Sequence, residues 1–313
     1  MTTIDHYLDN SHGQGGFDAT IEPVLRVPAG DGKTIGFQTD DAVYAQLHER
    51  RSLEKVTAQI NPVTGPVYVE GAKAGDTLAV EIVDIILEDY GWSVYLPGAG
   101  ALQDRMGDEV FTRQIPLTDG KAQLTDDLAV PVRPMIGCIG TAPAKGAGST
   151  IMPSFASGGN MDLTDAAIGS TVYLPVEVDG AYLSIGDIHA VMARGESSFV
   201  AIEAQGTAVV RVDVVKDMPL RAPRIATPDE WCFIGLGNPV QESIQRGYED
   251  MFDYLVTDRG WDAGDAFVVM SAEAHSELGG PTGSDDPDPL HPFTAKGAVT
   301  VHRLPRNVLG EES

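Results

Sequence analysis

Cysteine, basic residues, histidine and long apolar runs are all scarce in this chain, and each scarcity removes a class of function. The two cysteines, Cys138 in MIGCIG and Cys232 in EWCFIG, sit among apolar neighbours with no second thiol at metal-binding spacing. They read as buried small hydrophobes rather than as nucleophiles or ligands. Only 21 bases face 46 acids, a formal charge of -25. Such a surplus repels phosphate backbones and anionic lipid, so neither nucleic acid nor membrane is expected as a partner. No stretch approaches the roughly 18 apolar residues of a membrane span. The opening MTTIDHYLDN has neither the basic nor the apolar region of a secretory leader, which makes a cytoplasmic protein the expectation. A G-x-S-x-G nucleophile elbow is also missing.

What the chain has in quantity is turn chemistry: 35 glycines and 20 prolines in 313 residues, with an ordinary 42% of hydrophobic residues. This predicts a mainly β fold. Alternating segments flank Gly-Asp-Gly near residue 31, AKAGD in NPVTGPVYVEGAKAGDTLAVEIVDI, and VDGAY in TVYLPVEVDGAYLSIGD, and each reads as a hairpin. A short helix is expected across residues 40–58, with Val43, Leu47 and Leu53 on one face. A longer one follows Asn238, with Pro239 in its first turn, Gln241 completing a capping box, and Ile244, Tyr248, Met251, Phe252 and Leu255 as its apolar stripe. DAFVVMSAE and GAVTVHRLP read as strands, SELGGPTGSDDPDPLHPF as a turn-rich loop, and the tail beyond Arg306 as frayed. The segment 135–162, rich in Gly, Ala, Ser and Pro and almost uncharged, reads as a buried or substrate-facing loop system.

Chemistry concentrates in SIGDIHAVMARGE. Strand alternation places Asp187 and His189 on one face, two residues apart, where they can share a metal ion or form an orienting pair. Glu196 follows a turn, and the next strand carries Glu203. Just upstream, GGNMD supplies Asn160 and Asp162 behind two glycines that permit close backbone approach. A satisfied polar pair at a strand end and a plain turn remain the competing readings of these two motifs.

In order and spacing, NPVTGPVYVEGAKAGDTLAVEIVDI, MIGCIGTAPA, GGNMD, VYLPVEVDGAYLSIGDIHA and the following GE resemble the acetamidase/formamidase family, across about residues 23–274. The resemblance implies a β-sandwich with a small barrel-like part and a C-terminal, helix-containing α+β part. It also implies a homo-oligomer, dimer or higher, and hydrolysis of short or cyclic amides, with zinc or calcium in some members. A β-rich part over 1–135 and a second over 136–313 are expected to form one intertwined unit. Asn160, Asp162, Asp187, His189 and Glu196 fall on the family's polar positions, and Asp41 on its early acidic one. Where the family reads H-A-x-Q-G-D-G-E, this chain reads HAVMARGE, so Met192, Ala193 and Arg194 depart from the pattern. His275 and Glu277 depart from it too, as solvated loop residues.

The expected activity is cleavage of a small amide by metal-activated water. Asp187, His189 and Asp41 are the expected ligands of a divalent metal, zinc ahead of calcium. Glu196, His189 and Asp162 are the expected catalytic groups, and Asn160, Gly159, Met192 and Arg194 the substrate contacts. His6 and His48 stand as candidates for a second imidazole. A metal-free version would use Glu196 as base and His189 as acid. The alternatives are a lactam, carbamate or bulkier-amide hydrolase and a non-catalytic sandwich that binds a small ligand.

Overall fold

In a computed structural model of the protein, residues 2–101, 105–280 and 297–311 are described. The alternating segments become strands of two large sheets. From one edge to the other, the nine-stranded sheet runs His6–Leu8, Ile35–Gln38, Gly206–Val215, Thr77–Leu87, Thr171–Pro175, Arg224–Ala226, Glu230–Gly237, Ala298–Pro305, His275–Leu278. The second, eleven-stranded sheet contains Leu183–Val191, paired to Met135–Gly140 on one side and to Val63–Glu70 and Ile202–Glu203 on the other. One core joins them: Val80, Ile82 and Val210 from the first sheet pack in the same cluster as Ile136, Ile139, Leu183 and Ile185 from the second. Burying each such side chain contributes about 1.5–3 kcal/mol. Among the described residues neither sheet closes into a barrel.

The three expected hairpins are instead corners between the sheets. Leu25–Pro28 pairs in parallel with Val63–Glu70, whereas Ile35–Gln38 joins the other sheet. Val63–Glu70 and Thr77–Leu87 likewise belong to different sheets, as do Thr171–Pro175 and Leu183–Val191. A turn reverses the chain, but the need of both strands to bury an apolar face against one core carries the second across the sandwich. The last two corners lie side by side. Gly180 N–H donates to the Ala72 carbonyl (3.0 Å), Val69 N–H to the Gly180 carbonyl (2.9 Å), and Lys73 pairs with Asp179 at 2.7 Å.

Helix α1 spans Ala42–Arg50 and buries Val43 and Leu47, while Leu53 falls beyond it in an exposed 3-10 turn. Helix α2 spans Val240–Asp253 and continues as a π turn over Tyr254–Asp258. The expected capping box does not form: Pro239 sits at the N-cap without a side-chain cap, and Glu242, not Gln241, reaches back to accept the Asn238 N–H at 3.0 Å. Its buried face runs through Ser243, Gly247 and Met251, leaving Ile244 exposed.

DAFVVMSAE is helix α3, Ala263–Glu273, not a strand. Asp262 caps it, accepting the Gly264 N–H at 2.8 Å, and this cap outweighs the β-preference of Val268 and Val269. Beyond it, His275–Leu278 forms the edge strand; of the expected loop, residues from 281 onward lie outside the described residues. Ala298–Pro305 is a strand as expected. The tail is anchored as far as Glu311: Leu309 is buried, and Glu311 pairs with Arg259 (2.6 Å) and Arg306 (3.0 Å). Among the described residues no helix is long and apolar enough to cross a membrane.

Candidate active site

The strand Leu183–Val191 carries Asp187 and His189 into the middle of the second sheet, and its register sets Glu203 directly opposite His189. The strand Gly158–Asn160, held against Met135–Gly140, brings Asn160 and then Asp162 to the same place. The turn after Val191 folds back so that Glu196 joins them. Gly137 makes this convergence possible, because a Cβ there would lie 2.4 Å from Asp162 Oδ1 and 2.6 Å from Asp187 Oδ2. Asp162, Asp187, Glu196 and Glu203 thus surround a single imidazole.

His189 Nε2 lies 3.3 Å from Asp187 Oδ1, 3.3 Å from Glu203 Oε2 and 3.6 Å from Asp162 Oδ1. These are ion-pair distances without hydrogen-bond alignment: both ring nitrogens, Asp162 Oδ1 and Glu196 Oε2 are buried without a hydrogen-bond partner. Other atoms of the group are tied down. Asn160 Nδ2 donates to Asp162 Oδ2 (2.9 Å), Asn61 Nδ2 to Asn160 Oδ1 (3.0 Å) and to the Thr150 carbonyl (2.6 Å), and Ala201 N–H to Glu203 Oε1 (2.8 Å).

The backbone is strained at the same spot. Of the ten non-glycine residues with positive φ among the described residues, Asn61, Asp162, Asp187, Glu196 and Phe199 all line this site. Such left-handed conformations cost energy and persist where the surroundings impose them, which is characteristic of functional sites.

Crowding like charges in a dry place shifts their protonation. Burial, reinforced by the Asp187 charge, pushes Asp162 well above the usual carboxylate range; burial and the Asp162 charge do the same to Glu196. Burial also raises Glu203, although His189 opposes it. For Asp187 burial acts upward, but the neighbouring His189 charge overcomes it and holds the carboxyl low. Burial alone would lower His189; Glu203 and Asp187 instead raise it well above its ordinary value. The Tyr44 phenol, which lines the same cavity, is pushed up by burial and by the nearby Glu203 and Asp187.

The group lines a cavity of about 360 Å³ whose other walls are mostly apolar, with Tyr44, Asn61, Asn160 and Ser149 as the polar exceptions. Among the described residues no lysine or arginine lines it. Two sets here, Asp162–His189–Glu196 and Asp187–His189–Glu203, have donor atoms close enough to hold a metal ion. Bonds of about 2.1 Å from a tetrahedral zinc to nitrogen and oxygen imply ligand-to-ligand edges of about 3.4 Å. The three distances from His189 Nε2 bracket that value, and the unpartnered atoms are lone-pair donors of the right kind, so the residues fit a divalent cation.

Several expected residues lie elsewhere. Asp41 accepts the Trp92 indole N–H at 2.7 Å and is not among the potential ligand sets. His48 bonds Thr112 (2.9 Å) and packs at a tilt against Trp92, and His6 lies on an edge strand. The backbone of Gly159 is engaged in strand pairing with Ile139. Met192 is buried against Met135 and Ala201, outside the acidic cavity. Arg194 bonds Thr164 (3.0 Å) and Glu277 (2.6 Å) at the side of a larger cleft, about 640 Å³. The arginines of that cleft are already paired with neighbouring acids, so it lacks the unmet chemistry of the smaller cavity. Glu277 is no solvated loop residue: it lies on the edge strand and pairs with Arg194 and Arg303. Conversely, Glu203, Asn61 and Tyr44 belong to the site without having been singled out for it. The signal for Glu203 was available, since it follows His189 on the adjoining strand of an expected hairpin.

Comparison with known proteins agrees with this picture. The sequence profile described as the Acetamidase/Formamidase family matches residues 8–149 and 144–280. The chain is 29% identical to the formamidase of Methylophilus methylotrophus, over 62% of this chain and 63% of that protein. It is also 29% identical to the acetamidase of Mycolicibacterium smegmatis, over 51% of this chain and 54% of that one. It therefore spans less than two thirds of the length of these curated relatives. A crystal structure of a recombinant predicted acetamidase/formamidase from Thermoanaerobacter tengcongensis superposes with a TM-score of 0.85 at 28% identity, covering 99% of this chain and 98% of that one.

Proposed function

Because the chain belongs to the acetamidase/formamidase family, we propose that it hydrolyses the C–N bond of a small amide in the acidic cavity, with water as the nucleophile. The observation that carries this reading is the set of four carboxylates gathered on His189, with lone pairs left unmet, in a mostly apolar cavity. A water nucleophile is supported by the state of Cys138, whose thiol is pushed well up by burial and by Asp187 and Asp162, far from a reactive thiolate.

Asp187, His189, Glu203 and Asp162 would hold a divalent cation, zinc in preference to calcium because one ligand is an imidazole nitrogen. Such a cation supplies Lewis acidity, polarising the amide carbonyl and making water acidic enough to attack near neutral pH. Glu196 receives the proton of the attacking water on Oε2, the oxygen left without a partner, and passes it to the departing nitrogen. Its upward-shifted carboxyl suits a proton carrier. The chain from Asn61 through Asn160 to Asp162 fixes the aim of the Asp162 carboxylate, a positioning role in place of a direct substrate contact.

The test is ammonia release from formamide, acetamide and longer primary amides, with ring opening of a γ-lactam alongside. Each is measured on protein stripped of metal and then resupplied with zinc or calcium. Metal-dependent turnover is the expected result. Silence across the panel with metal bound would replace the hydrolase with a small-ligand-binding sandwich.

A further inference from the structure

We infer that the substrate is a neutral amide whose acyl group is an apolar chain or ring of about five to eight carbons, sized to the cavity volume, rather than a one- or two-carbon amide. This rests on the amidase reading and specifies its substrate class. At about 30 Å³ for each water-sized group, the cavity of about 360 Å³ holds on the order of a dozen such groups. Acetamide, with about four heavy atoms, would fill roughly a third of that space.

The character of the walls gives the chemistry of the remainder. Away from the carboxylates the cavity is bounded by Leu47, Val94, Met152, Phe199 and Val200. A hydroxylated or charged tail would lose its hydration there without finding partners. A carboxylated tail meets a further penalty, since four acids share the cavity and no lysine or arginine lines it among the described residues.

The entrance points the same way. Leu53, Ile60 and Ile151 are large apolar residues exposed by 37%, 42% and 43%, and all three border this one cavity. Single exposed apolar residues are ordinary on a protein surface. Three around one opening form an apolar rim, which favours entry of an apolar ligand.

The strained loop that carries the acid also shapes the cavity. Glu196 and Phe199 both have positive φ, and the Phe199 N–H donates to the Glu196 carbonyl at 2.9 Å, so one turn presents the proton carrier and an aromatic wall together. Chain length and chemistry are therefore read within a few residues of the reacting centre. The departures at Met192 and Arg194 lie outside this cavity and play no part in that selection.

The experiment compares kcat/KM of the metal-loaded protein for acetamide, butyramide, hexanamide, benzamide and adipic acid monoamide. Burial of each methylene predicts about a fourfold rise, which from acetamide to hexanamide amounts to roughly a hundredfold or more. The carboxylated analogue is expected to fall to the acetamide level or below. Two variants sharpen the test: Val200→Phe narrows the chamber, and Ile151→Asp makes the rim polar; each is expected to lower the hexanamide-to-acetamide ratio at least tenfold. A flat series, a preference for acetamide, or an unchanged ratio in both variants would overturn the inference while leaving the amidase reading intact. If no amide releases ammonia, the amidase reading fails, and calorimetric binding of hexanamide against acetamide then decides the inference alone. Preferential hexanamide binding weakened by Val200→Phe supports it; equal or absent binding overturns it.

Discussion

Two buried acidic clusters in this protein are built on opposite principles. Around Arg303, itself only 2% exposed, Asp165 accepts from Nε and Nη2 at 3.1 and 2.6 Å, Glu277 from Nη1, and Glu230 lies within 3.7 Å. Although Asp165, Glu230 and Cys232 have donor atoms close enough to suggest a metal site, the guanidinium already occupies their midst. Around His189 four carboxylates meet one imidazole, and burial pushes three of them upward. Buried acids matched internally by a cation hold a fold together. Acids crowded without a match are costly to the fold, and that cost points to a role in function.

The comparison can be broken most forcefully at Glu196. Glu196→Gln is expected to reduce kcat by about 10²–10⁴-fold, while the melting temperature of the metal-free protein stays level or rises, because a crowded carboxyl is removed. An active or strongly destabilised variant would place Glu196 among the structural acids. Arg303→Met should do the reverse. Leaving Asp165 buried with only the more distant Arg194 at 3.5 Å is expected to cost about 3–5 kcal/mol in denaturant unfolding, with kcat/KM of the surviving folded protein near wild type.

Between the extremes stands His302, beside Arg303 but with its ring hydrogen-bonded, among the described residues, to hydroxyls alone, Ser276 at Nδ1 (2.7 Å) and Thr300 at Nε2 (3.0 Å). Burial, with the nearby Arg303 charge, lowers it from 6.5 to about 4. Protonation is thus easier in the unfolded chain. Its contribution is fully present above pH 6.5 and is lost as pH falls toward about 4, up to about 3 kcal/mol. Unfolding free energy followed by pH titration should show that decline, with a shallower slope in His302→Gln. The smallest effect is expected at Arg194, whose side chain is 44% exposed. Arg194→Ala should change stability by about 0–1 kcal/mol and leave amide kcat/KM unaltered; a large kinetic change would move Arg194 back into the substrate site.

Much of the convergent acidic cluster was legible because Asp187, His189 and Glu196 lie within ten residues on a strand and its following turn, and Asn160 and Asp162 within one glycine-led loop. Glu203 was less so, since its role appears only when cross-strand register sets it against His189. Asn61 and Tyr44 reach the site through tertiary contact from remote segments, which local patterns do not encode. Asp41 shows the converse: an acid at a family-like position whose carboxylate is taken by Trp92. In the fold, strand periodicity and turn residues located most elements. Turn chemistry alone did not tell a hairpin from a corner, and the β-branched residues of α3 concealed its Asp262 cap.

The strand that carries His189 has hydrogen-bonded neighbours on both sides, and its residues from Leu183 to Val191 are nearly all buried. Its amide protons should therefore exchange with deuterium only through global unfolding, at the full stability of the molecule. Asp187 and His189 accordingly hold their separation as rigidly as any atoms in the protein. Evolutionary or laboratory change of substrate is left to the exposed side chains at the mouth, Leu53, Ile60 and Ile151, which can be exchanged without loosening the floor beneath them.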